Sequence, residues 1–237
     1  MPADLAAAAR GLDLGLSQDQ LTQLLTYAEQ LGTSAHNLIS ARDREQIESR
    51  HLVESLALGR LLDVHGLLPN SSQVLDLGAG GGLPGLPIRI AWPLIVLTLL
   101  ESVGKKCRFL EETIRALHLE NTTVIEGRAE DCAHDEAHRE RYDLVVARAV
   151  APLPVLIEYA LPFLRLGGRL AAVKGRNAIS EIDASASALN ELNGRLYDTP
   201  ILQSPHSQPQ TVVLIEKLGP TPESLPRRSG IPSKRPL

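Results

Sequence analysis

The feature that most constrains this chain is a cluster of glycines directly after a short apolar run. Residues 74–77 contain one acid, Asp76, and are followed by Gly78-Ala79-Gly80-Gly81-Gly82-Leu83. A short strand that ends in glycines and opens into a helix is typical of nucleotide-type sites, because glycines let the backbone approach a ligand. A tight strand-to-helix turn without a ligand is the alternative, so the surrounding residues must decide.

Two classes of ligand site are excluded by the loop itself. The dinucleotide-binding fingerprint has Gly or Ala at the sixth position of GxGxxG, where this chain has Leu83. The phosphate loop of nucleotide hydrolases requires Gly-Lys-Ser/Thr, and this loop contains no lysine.

Three acids follow the predicted strands. Asp76 ends the first strand, Glu101 the second, and Glu130 lies just after the third. The carboxyl ends of parallel strands meet at the edge of the sheet where such folds bind ligands. Solvated surface acids are the alternative. With the loop, however, the carboxylates favour S-adenosylmethionine: Glu101 would accept from the ribose, Asp76 would act on the amino group, and Ala129 and Glu130 would flank the adenine.

Predicted strands and helices alternate after residue 71. Strands are expected at 74–77, 94–100, 122–125, 142–147 and 169–173, and helices at 105–117, 153–164 and 179–192. This alternation indicates an α/β fold with a parallel sheet covered on both faces. Two further runs, 196–198 and 211–216, permit an antiparallel pair at the edge. The expected fold is the Rossmann-like seven-stranded sheet of S-adenosylmethionine-dependent methyltransferases.

The chain divides into three parts. Residues 1–70 form a helical N-terminal extension, in which Ser17 and Gln20 make a capping box and Asp43 caps a second helix. Residues 71–218 form the methyltransferase domain. Residues 219–237 contain five prolines and little apolar matter, so we expect a disordered, basic tail.

Composition limits the partners. The net charge of −4 argues against a general polyanion binder, so any nucleic-acid surface would be a local basic patch. The two cysteines form no CxxC pair, which argues against a zinc site and fits a reducing compartment. No signal peptide and no membrane-spanning run is found. We expect a cytoplasmic monomer without a metal or a membrane partner.

The residues after the fourth strand restrict what is methylated. Methylation of exocyclic amines commonly uses Asn/Asp-Pro-Pro-aromatic, whereas residues 147–152 read Ala-Arg-Ala-Val-Ala-Pro. Pyrimidine C5 methylation needs a nucleophilic cysteine. Cys107 falls in a predicted helix, and Cys132 lies in an acidic segment that would raise its pKa. With exocyclic amines and pyrimidine C5 disfavoured, the remaining acceptor is a nucleophile that needs no activation, such as guanine N7.

Several motifs resemble one family. These are Asn37-Leu38, Arg50-His51, the loop Gly80-Gly81-Gly82-Leu83-Pro84-Gly85-Leu86-Pro87, Gly104-Lys105-Lys106-Cys107-Arg108-Phe109-Leu110, Arg148-Ala149 and Lys174-Gly175. They match the RsmG (GidB) family. The resemblance runs from about residue 15 to residue 217, and the Leu-Pro-Gly-Leu-Pro extension of the loop is its most specific part. Gly81 and Ser40 depart from residues common in the family, and neither carries an assigned role.

The resemblance implies a reaction and a target. It implies methyl transfer from S-adenosylmethionine, with S-adenosylhomocysteine as product, to N7 of a guanine in the decoding-region loop of 16S rRNA. It also implies a substrate in a small-subunit or assembly-intermediate context. Cofactor contacts are implied for Gly78, Leu83, Ala129, Glu130 and Arg148. We also expect Gly80 and Ser102 to bind the cofactor.

The remaining candidates have structural alternatives. Four residues are candidates for positioning the cofactor or the substrate: Asn37, Arg50, His51 and Lys174. The alternatives are a turn residue for Asn37, a structural histidine for His51 and a structural ion pair for Lys174. Lys105, Lys106 and Arg108 begin a helix, where the helix dipole disfavours cations, so we expect them to bind RNA phosphate. A solvated helix start is their alternative.

Two other functions stay open at this point. A methyltransferase acting on a small molecule would use the N-terminal helices as a lid. A binding protein would hold the cofactor without turnover.

Overall fold

The computed structural model describes residues 2–34, 38, 46–205 and 207–237. A central sheet carries helices on both faces. The helices are α1 (Pro2–Gly11), α2 (Gln18–Thr33), α3 (Val53–Val64), α4 (Gly85–Ala91), α5 (Gly104–Ala116), α6 (Ala129–Cys132), α7 (Leu153–Ala160), α8 (Ala178–Asp183), α9 (Ala186–Glu191) and α10 (Ile231–Lys234). A π-helical turn (Ile47–Leu52) leads into α3, and a 3-10 turn (Leu161–Phe163) follows α7.

The sheet has the strand order β3-β2-β1-β4-β5-β8-β6, and a short strand β7 also pairs with β8. Its strands are β1 (Gln73–Leu77), β2 (Val96–Glu101), β3 (Thr122–Glu126), β4 (Tyr142–Arg148), β5 (Leu164–Lys174), β6 (Gly194–Asp198), β7 (Ile201–Leu202) and β8 (Gln210–Lys217). β1 to β5 pair in parallel, and β8 runs antiparallel to β5, β6 and β7. Because β6 and β7 share the edge of β8, the arrangement is a seven-stranded sheet with an interrupted edge strand.

Alternate residues of the central strands serve two cores. In β4, Leu144 and Val146 face the core beneath α2–α5, whereas Val145 and Ala147 face the core beneath α7 and α9. Each strand is therefore apolar on both faces, as a covered parallel sheet requires. This explains why the predicted strands are continuous apolar runs. Within the described residues, no helix is both long and apolar enough to cross a bilayer.

The N-terminal helices belong to the same core as the sheet. Leu24 and Tyr27 of α2 and Leu56 of α3 are buried together with Val74 and Leu99 of the strands. The predicted capping box is confirmed: Gln20 N donates to Ser17 Oγ, and Ser17 N donates to Gln20 Oε1. The described residues of the N-terminal extension, 2–34, 38 and 46–70, therefore share one hydrophobic core with the sheet. The predicted cap Asp43 lies outside the described residues.

Residues 219–237, the C-terminal segment, are folded onto the body where the sequence predicts a disordered tail. Thr221 and Leu225 are buried, and Arg139 donates hydrogen bonds to the carbonyls of Thr221, Pro222 and Leu225 at 3.0–3.1 Å. Lys217, with no exposed side chain, ties the start of the segment to Glu140 at 2.7 Å. The low apolar content predicts disorder, but side chains of distant residues form hydrogen bonds with the backbone of this segment and hold it in place.

Two predicted helices are shorter in the structure. The helix predicted at 153–164 ends at Ala160, and Pro162, which cannot donate a backbone hydrogen bond, lies in the 3-10 turn that follows. Gly167 and Gly168, which follow the predicted end of that helix, lie inside β5. The helix predicted at 179–192 is divided into α8 and α9 at Ser185, whose hydroxyl bonds back to Glu181 O at 2.6 Å.

We expect Tyr27→Phe to lower the free energy of unfolding by about 1–2 kcal/mol. The buried Tyr27 hydroxyl donates to Gly81 O at 2.7 Å, so its removal leaves a buried carbonyl of the glycine loop without this donor. Urea unfolding measures the change. Tyr197→Phe removes the same atom from a residue that is 44% exposed, and its stability should match the parent chain. Equal stabilities for the two variants would contradict the prediction.

Candidate functional site

A cavity of about 630 Å³ opens at the carboxyl ends of β1 to β4. This volume lies within the range of small-molecule and cofactor sites. Strand ends, α7 and the C-terminal segment form its walls: Leu77, Gly78, Leu100, Glu101, Ser102, Gly127, Arg128, Ala129, Glu130, Val150, Ala151, Pro152, Val155, Tyr159, Ser229, Gly230, Ser233 and Pro236. Five predicted cofactor residues are thus brought together: Gly78, Glu101, Ser102, Ala129 and Glu130.

Gly78 shapes the cavity floor between β1 and β4. Its φ of +73° lies in the left-handed region, and a Cβ added there would stand 2.9 Å from Val150 Cγ2. A side chain at this position would therefore be strained and would occupy the space between the loop and the residues after β4. The glycine is needed where the backbone borders the cavity, as the sequence predicts.

Glu101 joins the glycine loop to the end of β2. Its Oε2 accepts from Gly80 N at 2.9 Å, and its Oε1 accepts from Ser102 N at 2.8 Å and Val103 N at 3.0 Å. Only 6% of the residue is exposed, and it lines the cavity. A carboxylate fixed in this way presents its remaining lone pairs to hydroxyl donors of a ligand. Gly80, predicted as a cofactor residue, lies beneath Glu101 and outside the lining.

Glu130 lies at the end of the cavity next to β3. Its Oε1 accepts from Gly230 N at 2.9 Å, and the Tyr159 hydroxyl lies within hydrogen-bonding reach. Burial raises the pKa of Tyr159, and the negative charge of Glu130 adds to this rise. Tyr159 and Gly230 are site residues that sequence reasoning missed. An aromatic residue on the helix after the fourth strand was a usable signal, whereas Gly230 had none.

Asp76 faces away from the cavity. Its Oδ2 accepts from Gly85 N, at the start of α4, at 2.8 Å, and the residue is 1% exposed. Burial raises the pKa of this carboxyl to about 7, although the Gly85 hydrogen bond and the positive charge of Arg148 act in the opposite direction. In this structure Asp76 holds the glycine loop, so its predicted contact with the amino group stays a prediction. Leu83 likewise lies outside the cavity, packed against the core beneath α2–α5.

Arg148 and the N-terminal candidates meet at one buried acid, Glu54. Arg148 Nη1 lies 3.0 Å from Glu54 Oε2, Arg50 Nε lies 3.2 Å from Oε1, and His51 Nδ1 lies 3.7 Å from Oε2. Burial alone would raise the pKa of Glu54. The nearby His51 imidazole, hydrogen bonds from Ser207 and Arg50, and the charge of Arg148 outweigh burial and lower the pKa to about 2.

Glu54 therefore connects α3 to the end of β4. Like Tyr159 and Gly230, it is a residue that sequence reasoning missed. An acid inside the apolar stretch Leu52-Val53-Glu54-Ser55-Leu56 was the available signal. Arg148 lies outside the cavity lining, so its implied cofactor contact stays a prediction. Asn37, the fourth positioning candidate, lies outside the described residues.

Lys174 fixes the segment after β4. Its Nζ donates to Ala151 O at 2.6 Å and lies 2.8 Å from Glu181 Oε2, which also accepts from Leu153 N at 2.6 Å. Lys174 is 8% exposed, so the structural ion pair weighed against its positioning role is present. The pair also holds Ala151, which lines the cavity, and the positioning role of Lys174 stays a prediction.

The three basic residues of α5 have different surroundings. Lys105 and Arg108 are exposed, and neither has an ion-pair partner among the described residues. Lys106 is partly buried, with Nζ 3.8 Å from Glu101 Oε2. The structure thus leaves two of these cations accessible and turns the third towards the cavity.

Neither cysteine is placed to attack a substrate. Cys107 is buried and donates to Glu101 O, and burial raises the pKa of its thiol. Burial likewise raises the pKa of Cys132, with the charge of Asp131 contributing. Across residues 2–34, 38, 46–205 and 207–237, no group of three or more His, Cys, Asp or Glu side chains could hold a metal ion.

Residues 19–210 match the family model GidB, described as rRNA small subunit methyltransferase G. Several similar proteins carry the name ribosomal RNA small subunit methyltransferase G. The protein from Chloroflexus aggregans is 42% identical over 94% of this chain and 92% of its own length. The protein from Deinococcus radiodurans is 41% identical over 96% of this chain and 88% of its own length.

Solved structures with low identity share the fold. A mutant of MtNAS in complex with S-adenosylmethionine superposes with a TM-score of 0.59 at 17% identity, covering 84% of this chain and 73% of that one. TrmN from Thermus thermophilus superposes with a TM-score of 0.52 at 20% identity, covering 72% of this chain and 53% of that one. The predicted Rossmann-like methyltransferase sheet is confirmed.

We expect the stability of the protein to depend on the protonation of Asp76. A carboxyl whose ordinary pKa of 3.8 rises to about 7 on folding retains its proton longer in the native state. Its contribution to stability is complete below pH 4 and is lost as the pH rises to about 7. The slope within this window reaches about 1.4 kcal/mol per pH unit.

Asp76→Asn removes this titration and keeps an oxygen that accepts from Gly85. Urea unfolding between pH 5 and 8 should show a shallower decline for Asp76→Asn than for the parent chain. Asp183→Asn, at an exposed position of α8, serves as the matched control and should follow the parent chain. Parallel pH profiles for the parent chain and Asp76→Asn would contradict the assignment.

Proposed function

The chain belongs to the GidB family of small-subunit rRNA methyltransferases, and on this premise we propose that it methylates guanine N7 in 16S rRNA. The methyl donor is S-adenosylmethionine. The observation that carries the proposal is the cavity at the ends of β1 to β4, whose two buried carboxylates are both held by backbone N–H groups. That arrangement suits binding and orientation of a cofactor.

The cavity residues fit S-adenosylmethionine along the order of the strands. Gly78 and Val150 border the part of the cavity between β1 and β4, Glu101 closes β2, and Ala129 and Glu130 follow β3. Vicinal ribose hydroxyls are donors that suit the Glu101 carboxylate. The methionine part then points to β1 and β4, and the adenine points to β3. The bound cofactor supplies an electrophilic methyl group on a sulfonium.

Guanine N7 fits a site whose residues orient the substrate without activating it. Among the described residues that line the cavity, none is histidine, lysine or cysteine. Glu101 and Glu130 are engaged as hydrogen-bond acceptors, and both cysteines have raised thiol pKa values. N7 carries a free lone pair, so its methylation needs no general base. Proximity and orientation then supply most of the acceleration.

The segment after β4 is the element that orients the acceptor. Ala151 and Pro152 line the cavity beside Gly78, and Lys174 with Glu181 hold this segment through Ala151 O and Leu153 N. Buried polar contacts of this kind fix a loop more precisely than apolar packing alone. His51 acts through Glu54 as a structural residue, and it is not required as a base.

RNA is recognised through a local basic surface, because the chain carries a net charge of −4. Lys105 and Arg108 are exposed at the start of α5, directly after Glu101 and Ser102 at the cavity. Phosphates bound there would place a base over the cavity. The protein acts as a monomer on the small subunit or on an assembly intermediate, where folded RNA and ribosomal proteins supply the remaining contacts.

The decisive experiment supplies labelled S-adenosylmethionine to three acceptors: small subunits lacking the modification, free 16S rRNA, and a small-molecule extract. We expect one labelled methyl group on one guanine of the small-subunit RNA. N7-methylguanine is recognised because borohydride followed by aniline cleaves the chain at that nucleotide. Label in the low-molecular-weight fraction would favour the small-molecule methyltransferase. Cofactor binding without label in any acceptor would favour the binding protein.

Glu101→Ala should weaken cofactor binding at least about tenfold and lower the rate of methyl transfer at subsaturating cofactor, since it removes a charged acceptor of ribose hydroxyls. Glu126→Ala is the matched control, because Glu126 is exposed at the end of β3, opposite Glu101 in register, and does not line the cavity. Calorimetry with S-adenosylhomocysteine measures both variants. Unchanged affinity in Glu101→Ala would refute the placement of the cofactor.

Charge reversal on α5 tests the RNA surface. In the double variant Lys105→Glu, Arg108→Glu, we expect KM for small subunits to rise about tenfold or more and its salt dependence to become weaker. Affinity for S-adenosylhomocysteine should stay unchanged. Arg115→Glu reverses an exposed charge about 15 Å further along the same helix and should leave both quantities unchanged. A similar KM for all three proteins would place RNA binding elsewhere.

A further inference from the structure

The C-terminal segment reaches the cavity although it lies beyond the residues that the family model matches. The family model ends at residue 210, and the motifs that resemble the family end before residue 219. Ser229, Gly230, Ser233 and Pro236 nevertheless line the cavity. These residues are therefore placed to act on whatever the cavity binds.

The position of these residues within the cavity is set by Glu130. Gly230 N donates to Glu130 Oε1 at 2.9 Å, and Tyr159 and Ser233 line the same cavity as Glu130. Glu130 follows β3, the outermost strand on this side of the sheet. Because the ribose end of the cavity is marked by Glu101 of β2, the C-terminal segment closes the end beyond the ribose, where the adenine lies.

An ion pair fastens the segment just before Gly230. Glu158 of α7 has no exposed surface, and it accepts from Arg227 N at 2.8 Å, Nε at 2.9 Å and Nη2 at 2.5 Å. A buried carboxylate with three charge-assisted or backbone donors is a strong and directional contact. The neighbouring Arg228 is exposed and has no ion-pair partner among the residues that the structure describes.

We propose that residues 226–237 form the adenine wall of the cofactor cavity and orient Glu130 to accept the exocyclic amine of the adenine. The proposal rests on the proposed function only in taking S-adenosylmethionine as the cofactor. Gly230 N binds one oxygen of Glu130 and so fixes the plane of the carboxylate. An amino group at position 6 of the purine donates to such a carboxylate, whereas an oxo group presents a lone pair to it and is repelled.

The selectivity for adenine is the property that distinguishes this arrangement from a merely structural tail. S-inosylhomocysteine differs from S-adenosylhomocysteine at position 6, where an oxo group replaces the amine that faces Glu130, and in the proton that the adjacent N1 then carries. In the parent chain we expect S-adenosylhomocysteine to bind at least about tenfold more tightly than S-inosylhomocysteine. Without the Gly230 hydrogen bond, Glu130 turns freely, and this ratio should fall towards one.

Calorimetry of both ligands tests the wall in the full chain. Arg227→Ala should lower the affinity for S-adenosylhomocysteine about tenfold and reduce the ratio, and Arg227→Lys, which keeps the charge, should restore part of both. Arg228→Ala is the matched control, since it removes an adjacent exposed guanidinium, and its affinities should equal those of the parent chain. A chain ending at Leu225 should show the largest loss of both affinity and selectivity.

The outcomes separate this proposal from the proposed function, since no RNA enters the measurement. Failure of the parent chain to bind S-adenosylhomocysteine would refute the cofactor itself. The proposal that residues 226–237 form the adenine wall would be refuted if Arg227→Ala and the chain ending at Leu225 kept both the affinity for S-adenosylhomocysteine and its ratio to the affinity for S-inosylhomocysteine. Cooperative thermal unfolding must be retained in both variants. An equal loss of affinity for both ligands would refute the proposal that the segment orients Glu130 towards the exocyclic amine.

Discussion

Two buried carboxylates hold the glycine loop, and the rest of the structure depends on this arrangement. Asp76 of β1 accepts from Gly85 N after the loop, and Glu101 at the end of β2 accepts from Gly80 N within it. A loop of glycines has a large conformational entropy to lose on folding. Hydrogen bonds to carboxyl groups at both ends of the loop offset that loss and give one loop conformation. The shape of the cavity follows from the fixed loop.

The parts of the chain outside the sheet stabilise this central arrangement from opposite faces. On one face, Tyr27 bonds to Gly81 O, and Glu54 joins α3 to Arg148 at the end of β4. On the other face, Arg227 pairs with Glu158, and Gly230 bonds to Glu130. Both ends of the chain therefore contact the strand ends that surround the cavity. An enzyme that must orient a large RNA substrate benefits from such a rigid support.

The charged residues are also arranged around the cavity. The acids Asp76, Glu101 and Glu130 are buried around the loop and the cavity, and each is bound by a backbone N–H group. The cations Lys105 and Arg108 remain exposed beside the cavity. A negative interior binds a cationic cofactor, while a local positive surface attracts phosphate. A chain with a negative net charge can therefore act on RNA, because the charge near the site matters more than the total.

The sequence by itself determined the sheet, the loop and half of the cavity. Apolar runs, glycines and acids are local signals, and the parallel topology brings strand ends together without further information. Gly78, Glu101 and Glu130 therefore all line the cavity, while their contacts with the cofactor stay predictions. Partners that lie far apart in the chain were decided only by the tertiary structure. Glu54 meets Arg148, Lys174 meets Ala151, and residues 226–237 meet Glu130 and Glu158. No local pattern encodes these pairs, because a hydrogen bond or an ion pair depends on the distance between two groups in space, which is known only after folding.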